Sequence, residues 1–505
     1  MERLYVADVT LRDGEQVPGA ALNAREKLEV AKQLAALKVD VIEAGFPASS
    51  PGDAQAVRTI AREVRDCAIT ALARAVPADI DAVWEAVKEA ASPQIHLVLG
   101  VSDIHIESKF HSNREEILER AVAAVRYAKK YTEEVQYSAE DAGRADPEYL
   151  ARTVEAVIAA GATIVNIADT TGYLYPDEFG ARIRHLFERV PNVHRAVVSV
   201  HCHNDLGLAT ANTLAGVLAG ARRVEVTVNG LGERAGNADL EEVAMAVKTR
   251  ADFFQVATGI NSRELWRTSR LVSSLTGLRI QANKAIVGEN AFAHSSGIHQ
   301  DGVLKQRTTY EIMSPQEVGV PESRLVLTAR SGRHALRHRL EELGYRLGEV
   351  DFEAVHQRFL ELADRKKEVL DEDLAELVAA GGSAAVGGYS LESLEVTCGT
   401  VGNPRAQVTL RQPDGSLVRG EGEGSGPVDA AYRAVDQGIG VANRLLQFSL
   451  ESVTEDIDAQ ANVHVRLRVG ERVFGGRAAH TDIVVSGVLA YLDALNRALG
   501  SGDGR

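Results

Sequence analysis

Up to about residue 250, eight short apolar runs rich in β-branched residues alternate with longer Ala-, Glu- and Arg-rich stretches of helical periodicity. The runs are Leu4–Asp8, Val41–Gly45, Ala68–Ala73, Ile95–Gly100, Val135–Ser138, Thr163–Ile167, Val197–His201 and Arg223–Val228. Arg25–Leu37, Ile117–Lys130, Glu148–Ala159 and Ala209–Ala219 are typical of the stretches between them and are made of good helix formers. Parallel strands need a crossover element between them, usually a helix. Eight such units in this length match an α/β fold of the (β/α)8, or TIM, barrel type. In a barrel of this kind the loops after the strands gather around one mouth, so chemistry is expected at the strands' C-terminal ends.

The barrel, assigned to residues 1–260, accounts for about half of the 505 residues. Residues 261–380 read as a mainly helical subdomain with a short loop-rich segment around Ala291–Gly302. Ala379–Tyr389, "AAGGSAAVGGY", is too small and Gly-rich to pack a core and reads as a linker. Residues 390–505 then change to an α+β pattern. Strands Leu391–Thr397, Ala406–Arg411 and Ser416–Gly420 lead into a helix at Pro427–Gln437; strands Leu446–Ser452, Val463–Val469 and Arg472–Gly476 lead into another at Asp482–Leu499. The two halves read as one βββα unit repeated, with a shared "LES" at Leu391 and Leu450, and a ligand site between copies is a natural use for such a module.

The 56 Lys and Arg against 71 Asp and Glu leave a formal charge of −15, which opposes binding to nucleic acid or to an anionic membrane. An anionic substrate would need a local basic or metal site. No run of about 20 apolar residues is present, and Cys67, Cys202 and Cys398 have no spacing that indicates a disulfide framework or a thiolate zinc site. A cytosolic protein is the expectation.

The strongest local signal is "SVHCHNDLGL", at the end of the seventh run. Strand geometry sends His201 and His203 to one face, toward the mouth, and Cys202 the other way into packing. Two imidazoles so placed either share a metal ion or simply hydrogen-bond at a strand end. "TLRDGEQ" puts Arg12 and Asp13 on the turn after the first run, close to the seventh in a closed barrel. Asp13-Gly14 alone is also an ordinary turn. "NGLGERAGNADLEE" follows the last run, where Asn237 either completes a ligand shell or caps a helix. Imidazole, carboxylate and amide ligands suit a divalent ion of the Zn, Mn, Mg or Co type, able to polarise the carbonyl of a 2-oxo acid. Arg12 stands where it can stabilise a developing alkoxide. Glu43, His96, Ser138, Glu140 and Thr170 add polar groups at other strand ends, each alone equally well a core contact or cap.

"TLRDGEQVPGAAL", "IEAGFPASSPGD", "SAEDAGR", "HCHNDLGLATAN", "NGLGERAGNADLEEV", "NKAIVGENAFAHSSGIHQDGVL" and "TYEIMSPQEVG" together closely resemble the 2-isopropylmalate synthase family of the DRE-TIM metallolyase group, over nearly the whole chain. The resemblance implies that Asp13, His201, His203 and Asn237 hold one divalent metal ion, with room for a monovalent cation such as K+. It implies that Arg12 binds substrate, that His96, Ser138 and Thr170 contact the 2-oxo acid, and that Glu140 is an active-site glutamate. "HSSGIHQDG" resembles the segment that enters the partner subunit's barrel, with His299 at the place of a histidine in the base chemistry, so at least a homodimer is implied.

The implied reaction is a Claisen-type condensation of acetyl-CoA with 2-oxoisovalerate, an acyl transfer opening leucine synthesis, with Glu140 and the partner's His299 as candidate bases. The C-terminal repeat is implied to bind leucine as feedback inhibitor. The turns before its two helices, with Gly424, Gly426 and Asp429 in "GEGEGSGPVDA" and Thr481 and Asp482 in "HTDIV", are the candidate effector site. The family commonly has Asp or Thr at Cys202 and often Pro at Ala168, neither of them a proposed ligand. Rival readings are the sister citramalate and homocitrate synthases, a barrel aldolase or lyase, and a non-catalytic amino-acid sensor.

Overall fold

The structure, a computed structural model, describes residues 1–320, 324–325, 327–328, 330–343, 345, 347–364, 369–379, 388–399, 401–452, 461–470 and 472–500. The chain divides into two units, Met1–His294 with Lys305–Arg324 and Ser295–Leu304 with Leu325–Arg505.

In the first unit nine strands form one sheet: β1 (Tyr5–Asp8), β2 (Val41–Glu43), β3 (Ala68–Thr70), β4 (Leu72–Arg74), β5 (Ile95–Gly100), β6 (Val135–Glu140), β7 (Ile164–Asp169), β8 (Val197–Cys202) and β9 (Arg223–Val226). Their order is β3-β2-β1-β9-β8-β7-β6-β5-β4, and the neighbours pair in parallel. Eight runs were expected; the ninth strand arises because the third run is interrupted at Ala71. Its two pieces are the two edges of the sheet. On one side Ala44 N donates to Thr70 O at 2.9 Å and Leu72 N to Gly45 O at 3.0 Å; on the other Gln94 N donates to Ile69 O at 3.0 Å and His96 N to Ala71 O at 3.3 Å. Since one stretch of chain serves both edges, the sheet closes on itself as a barrel, which removes the exposed edges an open sheet would have.

The helices between strands begin where the sequence supplies start signals. α1 (Ala24–Leu37) opens with a capping box between Asn23 and Glu26. α2 (Pro51–Glu63), α3 (Pro77–Val87), α5 (Pro147–Ala160) and α6 (Pro176–Arg189) each begin on proline, whose fixed φ suits the first turn. α4 (Arg114–Ala128) is capped by Asn113, and α7 (Ala209–Leu218) and α8 (Leu240–Thr249) complete the ring. Outward strand residues such as Ile42, Ile69 and Val224 are fully buried under the helices. The inward residues are unusual for a barrel: Glu43, His96, Gln136, Ser138, Asn166, Arg223 and Glu225 are buried and polar where branched apolar side chains commonly fill the centre. A polar barrel interior is costly unless every group is paired, which points to function at the mouth.

α9 (Gly297–Lys305), in the second unit except for Lys305, corrects the expectation of a loop-rich segment around Ala291–Gly302, since that segment's second half is helical. α10 (Arg333–Glu342), α11 (Glu349–Ala363) and α12 (Asp371–Ala379) bury Leu336, Leu340, Phe352, Val355, Phe359 and Leu374 together. Most of the Gly-rich linker reading, 380–387, lies outside the described residues. Beyond it β10 (Ser390–Thr397), β11 (Arg405–Arg411) and β12 (Leu417–Glu423) form an antiparallel sheet followed by α13 (Pro427–Ile439). β13 (Arg444–Ser452), β14 (Ala461–Val469) and β15 (Arg472–His480) form a second, followed by α14 (Ile483–Gly500).

The repeat is present, but the shared "LES" is not its register. Each first strand carries a bulge near its start, between Leu391 and Ser393 in one copy and between Leu445 and Gln447 in the other, so Leu391 matches Leu445 and not Leu450. The repeated structural feature is glycine under helix. A Cβ on Gly422 would lie 2.4 Å from Ala430 O, and one on Gly476 would lie 2.1 Å from Ala490 O. Both strands thus lie against a helix backbone that admits no side chain. Gly476→Ala is expected to lower the stability of this domain by about 1–3 kcal/mol through overpacking, read as a downward shift of its calorimetric transition.

No run of about 20 apolar residues was expected; among the described residues α14, 18 residues long, is long and apolar enough by length and composition to cross a membrane. Half of it is buried within the protein, where Val488, Tyr491, Leu492 and Leu495 join the domain core.

Candidate metal centre and active site

The turn after β1 is built by its own side chains. Thr10 N and Oγ1 both donate to Asp8, Val228 N donates to Thr10 Oγ1, and Asp13 N donates to Val9 O at 2.9 Å. This brings Asp13 against the end of β8. There His201 and His203 lie with ring centroids 4.9 Å apart and their Nε2 atoms 3.1 Å apart. Asp13 Oδ2 is 3.7 Å from His201 Nε2 and 3.8 Å from His203 Nε2. All three residues are buried, and one ligand atom from each falls within 4.8 Å of the others. Cys202 is buried beside Thr213, away from the group, as strand alternation requires.

The protonation pattern suits a cation. Glu225 Oε2 lies 2.9 Å from His201 Nδ1, which places a proton on that nitrogen and turns Nε2 toward Asp13 and His203. Burial and the neighbouring His201 push the imidazole of His203 down to about 4, so it is neutral at pH 7. Burial would lower the imidazole of His201, but Glu225 and Asp13 hold it above its ordinary value, so binding a cation there would displace a proton. Two ring nitrogens beside a carboxylate face one small volume. Asn237 adds to the fit. Its Nδ2 donates to Asp13 Oδ1 at 2.9 Å and to Leu231 O at 3.1 Å, whereas its Oδ1 is buried with no hydrogen-bond partner among the described residues. Such an orphan acceptor is expensive without a ligand. The rival capping role belongs to Asp239, which accepts Glu242 N at the start of α8. A Cβ on Gly232 would lie 2.0 Å from Asn237 Nδ2, so only glycine leaves that amide its place.

Arg12 bridges this group to the barrel interior. Its Nη1 is 2.7 Å from Asp13 Oδ2 and its Nε 2.5 Å from Glu43 Oε2. Burial alone would weaken its charge, but Glu43 and Asp13 hold the guanidinium fully protonated. His96 continues the chain, with Nδ1 2.5 Å from Glu43 Oε1 and Nε2 2.6 Å from Ser138 Oγ. Asn166 and Gln136 join Ser138 to Glu225, and Glu225 returns to His201. Thr170, after β7, accepts Asp141 N through Oγ1 at 2.9 Å.

Arg12, Asp13, His96, Ser138, Glu140, Thr170, His201 and His203 all line one cavity of about 310 Å³. Asn237 lines a neighbouring cleft of about 470 Å³ with Asp239 and Lys284. His299 sits exposed on α9, in the second unit. The effector candidates are engaged within their own turns: Asp429 accepts Ser425 N, Asp482 accepts Val484 N and Val485 N, Gly424 is buried, and Thr481 is exposed. Gly426 is the residue immediately before α13. Glu225 was not singled out in the sequence. Its signal was an acid flanked by valines in "RVEVTV", which marks a charged residue facing inward from a strand.

With this geometry, the comparisons with known proteins become specific. Residues 3–272 match the HMGL-like family, 286–367 the homocitrate synthase post-HMGL domain-like family, and 368–499 the LeuA allosteric (dimerisation) domain. A 2-isopropylmalate synthase of Carboxydothermus hydrogenoformans is 52% identical over 500 residues, covering 99% of this chain and 98% of that protein. Another, of Pelotomaculum thermopropionicum, is 49% identical over 499 residues, covering 99% of each. The chain belongs to the 2-isopropylmalate synthase family. Among solved structures, hydroxymethylglutaryl-CoA lyase from Pseudomonas aeruginosa is 22% identical with a TM-score of 0.47, covering 55% of this chain and 95% of that one.

Proposed function

We propose that this enzyme is a metal-dependent acyltransferase that condenses acetyl-CoA with 2-oxoisovalerate and water to give 2-isopropylmalate and CoA. The observation that carries the reading is the Asp13, His201 and His203 group opening into the same small cavity as Arg12 and Ser138, in a chain whose full-length relatives bear that activity in their name. Asp13, His201, His203 and Asn237 would hold the divalent ion, which supplies Lewis-acid polarisation of the oxo acid's carbonyl.

The chain's own groups supply the rest. Arg12 offers a permanent cation to the oxygen that gains charge, and Ser138, His96 and Thr170 offer hydrogen bonds that orient the acid. A base, Glu140 or the partner subunit's His299, takes a methyl proton from acetyl-CoA; the resulting carbon attacks the carbonyl carbon, and water then cleaves the thioester to free CoA. The C-terminal domain would bind leucine near Gly424, Gly426, Asp429, Thr481 and Asp482 and hold the chain as at least a homodimer. A cytoplasmic location suits the acetyl-CoA substrate and three unpaired cysteines.

The test follows free thiol release from acetyl-CoA with 2-oxoisovalerate, pyruvate or 2-oxoglutarate, with added Mn2+, Mg2+, Zn2+ or Co2+, with and without K+ and leucine. Metal-dependent release that prefers 2-oxoisovalerate and falls with leucine is the expected result. Preference for pyruvate or 2-oxoglutarate would move the enzyme to a citramalate or homocitrate synthase activity, and no release with any acid would sink the catalytic reading.

A further inference from the structure

β6 ends on Glu140, and the carboxylate that follows it, Asp141, parts company with it. Asp141 adopts a left-handed backbone (φ 59°), so Glu140 turns to the cavity while Asp141 turns into the protein, fully buried. Opposite them, the segment after β5 forms one turn of π-helix, His105–Lys109. Wider turns of this kind are rare and concentrate at functional sites, because the extra residue redirects side chains. Here both ends of the turn reach the same carboxylate. Lys109 Nζ lies 2.8 Å and 2.7 Å from the two oxygens of Glu140, and His105 Nδ1 lies 3.4 Å from Oε2.

His105 is wedged in place. Its Nε2 is 3.7 Å from Asp141 Oδ2, and Asp141 is itself held by Ser102 Oγ at 2.5 Å and by Arg144. A Cβ on Gly100 would sit 2.6 Å from His105 Nδ1, so the strand before the turn must end in glycine for the imidazole to fit. The other charged or titratable groups that line the same cavity are Arg12, Asp13, His96, His201, His203, Glu225, Glu233 and Arg234. No step of the reaction uses His105 or Lys109, yet both reach the carboxylate of Glu140 at the rim of the cavity.

We infer that Lys109 and His105 are positioning residues for the condensation, the π turn clamping Glu140 as an oriented, ionised carboxylate at the rim of the substrate cavity. This rests on the reading of Glu140 as an active-site group. Burial alone would raise the carboxyl of Glu140, whereas His105 and Lys109 hold it below its ordinary value. Removing the ammonium therefore lets burial act, and any step needing the carboxylate fails at a higher pH than before.

Lys109 is about half exposed, with a side-chain exposure of 49%, so Lys109→Met can be made without disturbing the core. In the full-length, metal-loaded enzyme it is expected to lower kcat about tenfold, leave KM for the oxo acid unchanged, and shift the acidic limb of the pH–rate profile upward; Lys109→Arg should restore most of the rate. A Lys109→Met enzyme with the wild-type pH profile overturns the proposal, as does one whose only defect is a raised KM for acetyl-CoA, which would make the lysine a CoA contact. Glu140→Gln is the reference. Near-native turnover there removes the reading of Glu140 and this proposal with it; a large loss there beside an unaffected Lys109→Met removes this proposal alone.

Discussion

Asp13→Asn is expected to lower turnover by at least about 1,000-fold, or ~4 kcal/mol of barrier, and to leave the purified protein without its divalent ion. The change is nearly isosteric and keeps an oxygen for the Asn237 amide, which now donates to Asp13 Oδ1. What it removes is the only carboxylate of the three-residue group. Two neutral imidazoles and an amide bind a divalent cation far more weakly than a set that includes a negative ligand. Asp13 is also well prepared to be that ligand. Burial would raise its carboxyl, but Arg12, His201 and His203 hold it well below the usual carboxylate range, so it is ionised throughout the working pH range. Arg12 keeps Glu43 as its partner in the variant, so the barrel should not unfold around an unpaired cation. The measurement is metal content by inductively coupled plasma mass spectrometry alongside kcat, with the thermal shift on adding Mn2+ as a check on folding. A variant that retains one ion per chain and the wild-type rate would exclude Asp13 as a ligand.

The barrel and the core of this site were legible for a local reason. Strand and helix periods are short-range patterns, and residues two apart at a strand end must share a face, so His201 and His203 come together whatever the rest of the chain does. The turn carrying Asp13 could be placed beside them because a closed barrel makes the first and seventh units near neighbours. The departures all depend on contacts distant in sequence. Interruption of the third strand at Ala71 reflects closure of the sheet onto Ile95–Gly100 and Val41–Glu43. Glu225 could not be joined to His201 without knowing which strands are adjacent and in what register, and β9 pairs Glu225 directly with His201.

Gly297–Lys305 carries two glycines, which local propensity scores as a poor helix. Its start is instead set by tertiary pairing, Gly297 N donating to Arg330 O at 2.8 Å. The shared "LES" misled because tripeptide identity carries no register, whereas Gly422 and Gly476 are forced by a helix backbone lying on the strand. Glu140 was legible as a polar strand end, but the clamp upon it was not, since a π turn has no simple composition signature.

His299→Ala is expected to lower kcat by at least about 100-fold while leaving oxo-acid binding and metal content near native. The histidine stands in a different unit of the chain from the metal-binding group and is exposed on α9. The carboxylate it would share the work with is a poor base, because His105 and Lys109 hold Glu140 below its ordinary value. A methyl proton next to a thioester is only weakly acidic, so a base nearer to neutral in strength is the better match to the task. An imidazole provides it. If His299 acts in the partner subunit's barrel, two inactive variants should rescue each other. Co-expressed His299→Ala and His203→Ala chains would form mixed dimers in which one site combines an intact metal group with an intact His299, and activity should return. Isothermal titration of 2-oxoisovalerate into the metal-loaded His299→Ala enzyme separates binding from turnover. Near-native kcat in His299→Ala would remove the histidine from the chemistry. Loss of kcat without rescue in the mixed dimers would keep its role in turnover but confine it to its own chain.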